Sequence, residues 1–230
     1  MNQGRLTVPE YVILTIVLVH LLVGIVSFFW NPSFFELYII EDGYIENATA
    51  LSLLMIAIVC GIGAYQSSGV KRAFLILGTI VFIFGCGEEI SWGQRILEFS
   101  TPEKLHAVNA QGEFNIHNLQ VGEVKINKLI FSTVMYSGIF FYFLGLPLLY
   151  KYSSKLRNWK YLYIPIPKQS WGWMYLGFFM LPLILPTGKL WELQEFCFSV
   201  FLLASVVFQQ NPKFDFLHTG TTGNYKLAEQ

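Results

Sequence analysis

Long apolar segments separated by short polar stretches dominate the pattern of this chain. The hydrocarbon core of a bilayer is about 30 Å thick, and a helix needs roughly 20 residues to cross it. We predict six such spans, at residues 9–30, 45–65, 70–92, 128–150, 171–185 and 190–208. The predicted fold is therefore all-α, a polytopic six-helix transmembrane domain over residues 1–210. A cytoplasmic polar tail is predicted at 211–230.

The long loop at residues 96–127, between the third and fourth spans, is predicted to lie on the outer face. Cytoplasmic loops carry an excess of Lys and Arg. With both termini inside, ten of the 15 Lys and Arg residues are cytoplasmic and twelve of the 15 acidic residues are outside. This asymmetry favours an N-in/C-in topology. Within the loop, Ser100-Thr101-Pro102-Glu103 predicts the start of a short helix that runs to about Val108.

Two smaller patterns predict how the spans pack. Ala57 and Gly61 in the second span, and Gly78 and Gly85 in the third, give small-residue faces that allow two helices to approach closely. His20 lies in the middle of the first span, and we expect it to form a hydrogen bond with a neighbouring helix.

The composition excludes a soluble domain. Hydrophobic residues make up 54% of the chain and charged residues 13%, whereas soluble domains have about 25% charged residues. The net charge is zero, so nothing indicates a nucleic-acid partner. All three cysteines lie inside apolar segments, so they predict no disulfide framework.

The stretch from Gly85 to Ile96 carries the strongest chemical signal. Two adjacent carboxylates, Glu88 and Glu89, follow a run of apolar and small residues, and Trp92 and Arg95 come soon after. If the helix continues, Glu88, Trp92 and Arg95 share one face, because four and seven residues are close to whole turns.

Carboxylates also mark the outer ends of two other spans. Glu46 opens the second span, Glu192 and Glu195 open the sixth, and the outer loop contributes His117. Ionisable groups inside a membrane cost roughly 2.5–3.5 kcal/mol each at mid-helix, and they persist when paired, hydrated or bound to an ion. The excess of negative charge can be balanced by protons or by a divalent metal ion.

Three interpretations of these residues remain open. In the first, they form a hydrolytic site, where a carboxylate activates water against a lipid or membrane peptide and a histidine or metal polarises the carbonyl. In the second, they bind a metal or carry protons without cleaving a bond. In the third, Glu88 pairs with Arg95, and Glu192 pairs with Lys189 or Arg95, in a non-catalytic subunit whose polar rim docks a partner protein.

The candidate residues for these roles overlap. The catalytic candidates are Glu88, Glu89, His117 and Arg95. The substrate-binding candidates are Trp92, Asn118, Gln111 and Glu113, and the metal-ligand candidates are Glu89, His117, Glu46 and Glu195. Carboxylate and imidazole groups are common ligands of divalent metals.

Three motifs together resemble an uncharacterised family of bacterial polytopic membrane proteins. They are Glu-Glu-Ile-Ser-Trp-Gly-Gln-Arg at 88–95, Thr-Pro-Glu at 101–103 and Asn-x-Gln-x-Glu-x-Asn-x-His-Asn at 109–118. The resemblance covers the second to fourth spans, including the Glu-Asp-Gly entry at 41–43. It implies a multi-pass protein of the bacterial plasma membrane, in contact with lipids, and brings no activity with it.

The Glu-Glu pair, Arg95 and the later Phe114-x-x-His117 also resemble, in part, the CAAX-type (abortive-infection) intramembrane proteases. In that family the arginine follows the pair by four residues and the histidine follows the phenylalanine by four. Here the separations are six and three. The resemblance implies that Glu88 or Glu89 activates water and that His117 assists.

Overall fold

The protein is a bundle of helices. The computed structural model describes residues 6–40, 43–116, 118–121, 124–125 and 134–214. The helices in these ranges are α1 (Val8–Trp30), α2 (Pro32–Tyr38), α3 (Tyr44–Gln66), α4 (Gly69–Glu89), α5 (Gln94–Leu97), α6 (Glu103–His106), α7 (Met135–Phe140), α8 (Leu146–Tyr152), α9 (Ser154–Asn158), α10 (Gln169–Met180) and α11 (Trp191–Val207). In the same ranges, the strands are β1 (Gln120–Val121) and β2 (Val124–Lys125), which form an antiparallel pair.

Three helices of the described part, α1, α3 and α4, are long and apolar enough to cross a membrane. This finding confirms the prediction of a helical membrane protein at that level. The predicted fourth span corresponds to α7 and α8 joined by a π-helical turn at Phe141–Gly145, and its first residues, 128–133, lie outside the described ranges. The fifth corresponds to α10 and a 3₁₀ turn at Leu181–Ile184, and the sixth to α11.

The start of α1 is tied to the start of α10 through Glu10. The backbone N–H and the hydroxyl of Thr7 both donate to Glu10 Oε2 at 2.9 Å, which is how a capping box closes a helix N-terminus. The other carboxylate oxygen accepts from Lys168 Nζ at 2.7 Å and from the Trp171 indole at 2.8 Å. Glu10 is fully buried, so this carboxylate joins two helices inside the protein.

The short helix α2, which the sequence analysis did not predict, follows α1 directly. Asn31 caps it by accepting a hydrogen bond from the Phe34 N–H at 3.2 Å, and Pro32 occupies its first position. The hydroxyl of Tyr38, at its end, donates to the carbonyl of His20 in α1. The helix therefore folds back along α1 as far as its middle.

His20 bonds to a neighbouring helix, as predicted. Its Nδ1 lies 2.7 Å from the Ile16 carbonyl, which requires Nδ1 to donate, and its Nε2 accepts from the Tyr44 hydroxyl at 2.9 Å. The imidazole also packs against the ring of Phe196, at 4.9 Å between centroids. This histidine joins α1, α3 and α11.

The larger of two cores is aromatic and lies among α1, α2, α7, α10 and α11. Phe143 stacks on Tyr175 at 4.4 Å between centroids, and Trp171 meets Phe201 edge to face at 5.4 Å. All four of these side chains are fully buried. The rings fix the relative positions of the helices that carry them.

The second core joins α3, α4 and the end of α11. A Cβ atom at Gly78 would lie 3.3 Å from Cys60 Sγ, and one at Gly85 would lie 3.4 Å from a methyl of Leu53. The predicted close approach of these two helices is thus confirmed. Only 6% of the apolar window of α4 is buried, against half of that of α3, so most of the apolar surface of α4 is not covered by the rest of the described protein.

The chain after α11 belongs to the bundle as far as residue 214, which moves the predicted start of the tail. Asn211 is fully buried, and its amide donates to the carbonyls of Leu162 and Ile164 at 2.8 and 2.9 Å. Phe214 packs in the second core. The remainder of the predicted tail, 215–230, lies outside the described residues.

The contact of α10 with the turn after α7 predicts opposite effects on stability when Gly172 and Gly177 of this helix are replaced by alanine. A Cβ at Gly172 would lie 2.2 Å from the carbonyl oxygen of Phe143, whereas one at Gly177 would meet nothing within 4 Å. Gly172→Ala should therefore destabilise the protein by about 1–3 kcal/mol. Gly177→Ala should stabilise it by up to about 1 kcal/mol, because alanine favours helix.

Thermal unfolding of the two purified variants in detergent measures this difference. Equal midpoints for both would contradict the close packing of α10 on the Phe143 carbonyl.

Candidate functional site

Helix α4 ends at Glu89, three residues before the end of the predicted span, and the chain then turns with a left-handed backbone. Ser91, Trp92 and Gly93 have φ values of 46°, 54° and 75°. Glycine adopts this conformation readily, but for the other two it costs about 1–2 kcal/mol each. The predicted helical face shared by Glu88, Trp92 and Arg95 is therefore interrupted, and contacts from elsewhere must hold the turn.

Glu88 supplies one of these contacts. Its Oε1 accepts from the Trp92 indole N–H at 2.7 Å, and its Oε2 accepts from the backbone N–H of Ile116 at 2.7 Å. The side chain is 5% exposed. The carboxylate therefore links the last turn of α4 to the turn beyond it and to a loop segment 28 residues later.

The Trp92 ring lies back over the end of α4. A Cβ at Gly87 would come within 2.9 Å of the indole, so only glycine leaves room for the ring there. Phe84 meets the indole edge to face, at 5.6 Å between ring centroids. Because 40% of Trp92 remains exposed, the ring packs on the helix from outside rather than filling a pocket.

The loop that follows α6 is organised around Asn115 and Glu113, both of which are buried. The Asn115 amide donates to Ser91 Oγ at 3.0 Å and to Glu113 Oε2 at 2.9 Å. The Ser91 hydroxyl donates to the same Glu113 oxygen at 2.9 Å. Glu113 Oε1 pairs with the guanidinium of Arg95. These four side chains hold the left-handed turn and the loop together.

Asn109 stabilises the rest of the loop from within. Its amide donates to the backbone and side-chain oxygens of Asn115, both at 2.9 Å, and its oxygen accepts from the N–H groups of Gln111 and Glu113. The Asn118 amide donates to Gln111 Oε1. We call residues 91–116 and 118–120 the loop unit, since these bonds make them one folded element.

Gln94 connects the two halves of the loop unit. Its Oε1 accepts from the Phe114 N–H and its Nε2 donates to Thr101 Oγ1, both at 2.8 Å. The sequence predicts a hydroxyl cap for the next helix, but Thr101 does not cap it. Helix α6 begins after Pro102 and is only four residues long. The hydroxyl predicted to start a helix instead helps to close the loop.

The loop unit thus uses the side chains predicted to bind substrate. Trp92 binds Glu88, Gln111 and Asn118 bind each other, and Glu113 binds Arg95 and Ser91. Arg95 and Glu88, predicted as catalytic, also take part in these contacts. Their observed contacts position the loop, and none of these requires a bound molecule.

Behind the loop unit lies a group of four carboxyl side chains, Glu46, Glu89, Glu192 and Glu195, which we call the acidic cluster. Glu89 is partly buried and interacts electrostatically with the other three and with Glu88. They come from the first turn of α3, the last residue of α4 and the first turns of α11. Carboxylates at these three helix ends therefore interact electrostatically with Glu89, and a catalytic or metal site built from them remains a prediction.

Two features of the fold influence the electrostatics of the acidic cluster. The N-termini of α3 and α11 point their positive dipole ends toward it, which favours nearby negative charge. The described ion pairs assign Arg95 to Glu113 and Lys189 to Glu36, and Glu192 accepts from the Trp191 indole at 2.8 Å. Carboxylates that interact with one another repel unless protons or cations are shared among them.

Tyr136 of α7 lies beside the acidic cluster and interacts electrostatically with Glu89, Glu192 and Glu195. Its hydroxyl oxygen is buried and has no hydrogen-bond partner among the described residues. Buried hydroxyls normally have a partner in the protein or in bound water. A tyrosine in an apolar segment gave no sign of this position in the sequence.

The predicted metal site is not assembled by the described residues alone. Within those ranges, no group of three His, Cys, Asp or Glu side chains is arranged to hold a metal ion. Glu46 and Glu195 each interact electrostatically with Glu89, but the fourth predicted ligand, His117, is outside the described residues. Residues 41 and 42 of the Glu-Asp-Gly entry are outside them as well.

The ion pair at the opposite end of the bundle, between the buried Glu10 and the partly exposed Lys168, was not predicted from the sequence. The Thr-x-x-Glu pattern at residues 7–10 is a capping-box signal and could have identified Glu10 as structural. No sequence signal connects it to a lysine 158 residues away.

Comparisons with protein-family models, with curated proteins and with solved structures found no match for this chain.

The loop unit predicts a large effect for Asn115→Ala and a small one for Ile116→Ala. The Asn115 side chain is 2% exposed and bonds to Ser91, Asn109 and Glu113, so its loss leaves buried groups unsatisfied at about 1–3 kcal/mol. Ile116 is 44% exposed. We expect trypsin to cleave after Lys104 markedly faster in Asn115→Ala alone. Similar cleavage rates in both variants would contradict a rigid loop unit.

Proposed function

We propose that this chain is a six-span protein of the bacterial plasma membrane, with both termini inside, whose acidic cluster binds cations or protons at the outer interface. The observation that supports it best is the convergence of Glu46, Glu89 and Glu195 from three separate helices. Carboxylates at membrane depth are costly unless they serve a bound ion, a hydrated cavity or a proton path.

The contacts of the loop unit favour this function over bond cleavage. The residues predicted to recognise a substrate are engaged with one another, and Glu88 is engaged with Trp92 and the Ile116 backbone. Among the adjacent acids, Glu89 is then the one available to act on a ligand, because it faces the acidic cluster. The loop unit acts as a fixed cover at this end of the bundle.

The described carboxylates favour a proton or a hydrated cation over a directly coordinated metal ion. They interact electrostatically with Glu89, yet no three of the described ligand-type side chains are arranged around one point. A cation that keeps several of its waters needs only one or two carboxylates, as Mg²⁺ does in many proteins.

Hydrolysis of a lipid or membrane peptide is the second candidate, and Tyr136 favours it. A partly buried carboxylate, Glu89, beside a buried tyrosine hydroxyl could supply a general base and a general acid. His117, predicted to assist, would belong to the same site. Turnover of a lipid or peptide by the purified protein, lost in Glu89→Gln, would favour this function over cation binding.

The proposed topology predicts the labelling of two introduced cysteines in intact cells. Ser100 in the loop unit and Ser154 at the start of α9 are both exposed, and N-in/C-in topology gives them opposite sides. A membrane-impermeant maleimide should label Ser100→Cys and leave Ser154→Cys unlabelled until the cells are opened. The native cysteines are buried and should give little background. The reverse pattern would exclude this orientation.

The proposed cation site predicts a loss of affinity for Mn²⁺ in Glu89→Gln. Mn²⁺ suits carboxylate and water ligands, and its binding to the purified protein can be followed by paramagnetic resonance and calorimetry. Removal of a carboxylate that binds the cation should weaken binding at least about tenfold. Glu36→Gln is the matched control, because Glu36 is exposed and is paired with Lys189.

The outcome for the two variants decides between cation binding and bundle closure. Equal Mn²⁺ affinity in Glu89→Gln, Glu36→Gln and the unchanged protein would reject a cation site at the acidic cluster. The carboxylates would then serve only to join helix ends.

A further inference from the structure

We propose that Tyr136 and Tyr175 line a hydrated passage, which continues from the acidic cluster into the core of the bundle. This inference rests on the proposed function and deepens it: the passage conducts water and protons inward from the acidic cluster. Its starting point is a pair of buried tyrosine hydroxyls on α7 and α10. Neither has a hydrogen-bond partner among the described residues.

The two hydroxyls follow one another inward from the acidic cluster. Tyr136 interacts electrostatically with Glu89, Glu192 and Glu195. Tyr175 interacts in turn with Tyr136 and with Cys197 of α11. Phe179 lies one turn beyond Tyr175 along α10, and its ring contacts the rings of both Tyr136 and Tyr175. Tyr136 therefore lies near the end of α10, whereas Tyr175 lies nearer its middle, in the larger core with Cys197.

Aromatic packing holds both rings in place, so the hydroxyls cannot swing away to find other partners. Tyr136 meets Phe179 edge to face at 5.5 Å between centroids. Tyr175 is fully buried and stacks on Phe143 at 4.4 Å. Fixed hydroxyls without protein partners are best explained by bound water, because an unsatisfied buried polar group is unfavourable.

A third tyrosine shows the alternative arrangement. The hydroxyl of Tyr142, on the turn after α7, donates to the Pro165 carbonyl at 3.1 Å. This tyrosine therefore needs no water. A backbone carbonyl of the bundle thus satisfies the hydroxyl of Tyr142. The hydroxyls of Tyr136 and Tyr175 require another partner.

Replacement of each tyrosine by phenylalanine tests whether the two hydroxyls are hydrated. If they bind water, Tyr136→Phe and Tyr175→Phe should lower the thermal midpoint of the purified protein by about 2–4 °C, as Tyr142→Phe should through loss of its bond to Pro165. If the hydroxyls are dry, removal of an unsatisfied group should raise the midpoint. A raised or unchanged midpoint in both Tyr136→Phe and Tyr175→Phe would overturn the proposal.

A second measurement does not depend on the stability of a tyrosine variant. In protein with Cys60→Ala and Cys86→Ala, the thiol of Cys197 is the remaining S–H group, and infrared spectroscopy follows its exchange for deuterium. We expect faster exchange than for Cys60 in protein with Cys86→Ala and Cys197→Ala. Equal or slower exchange at Cys197 would reject a passage that reaches it.

Binding of Mn²⁺ separates this proposal from the function on which it rests. If Glu89→Gln weakens binding and Tyr136→Phe does so by at least about threefold, while Tyr142→Phe does not, the passage and the cation site are continuous. If only Glu89→Gln has an effect, the cation site stands and the proposed continuity fails. If Glu89→Gln has none, the cation site itself fails, whatever the exchange at Cys197.

Discussion

The carboxylate of Glu88 determines where a membrane helix stops and a folded loop begins. A helix end leaves backbone groups without partners, and the left-handed turn after α4 is unfavourable by itself. Glu88 offsets the cost of this turn by accepting hydrogen bonds from the Trp92 indole and the Ile116 backbone N–H. Its neighbour Glu89 projects about 100° away around the helix and meets the acidic cluster instead. Glu88 thus stabilises the loop unit, whereas the adjacent Glu89 belongs to the acidic cluster.

Much of the fold follows from local chemistry that a sequence displays. Apolar length predicts membrane helices, and small residues at Gly78 and Gly85 predict the close approach of α3 and α4. The left-handed turn could not be predicted this way. Helical spacing continues past Glu89 as far as Arg95, and only Gly93 signals a break. The conformation of Ser91 is held by hydrogen bonds with residues more than twenty positions later, whereas Trp92 bonds to Glu88, four positions earlier.

The candidate site likewise has features that local sequence predicts and features that depend on contacts between distant residues. The topology predicted that carboxylates on three helix ends would converge, because each begins or ends at the same face. It could not predict the pairing of Arg95 with Glu113, since both ion-pair partners depend on how the loop folds. Tyr136 was also beyond prediction, because a tyrosine in an apolar segment is usually core or interface. Its importance arises only from the helices packed around it.

The pairing of Glu10 with Lys168 has a consequence for biosynthesis. The two residues are 158 positions apart, so at about 5–20 residues per second the lysine is made roughly 8–30 s after the glutamate. During that interval α1 enters the membrane with a carboxylate near its end. Thr7 is the partner available from the start, since it donates two hydrogen bonds to the same side chain. The capping box thus provides hydrogen bonds to the Glu10 carboxylate until α10 has been synthesised.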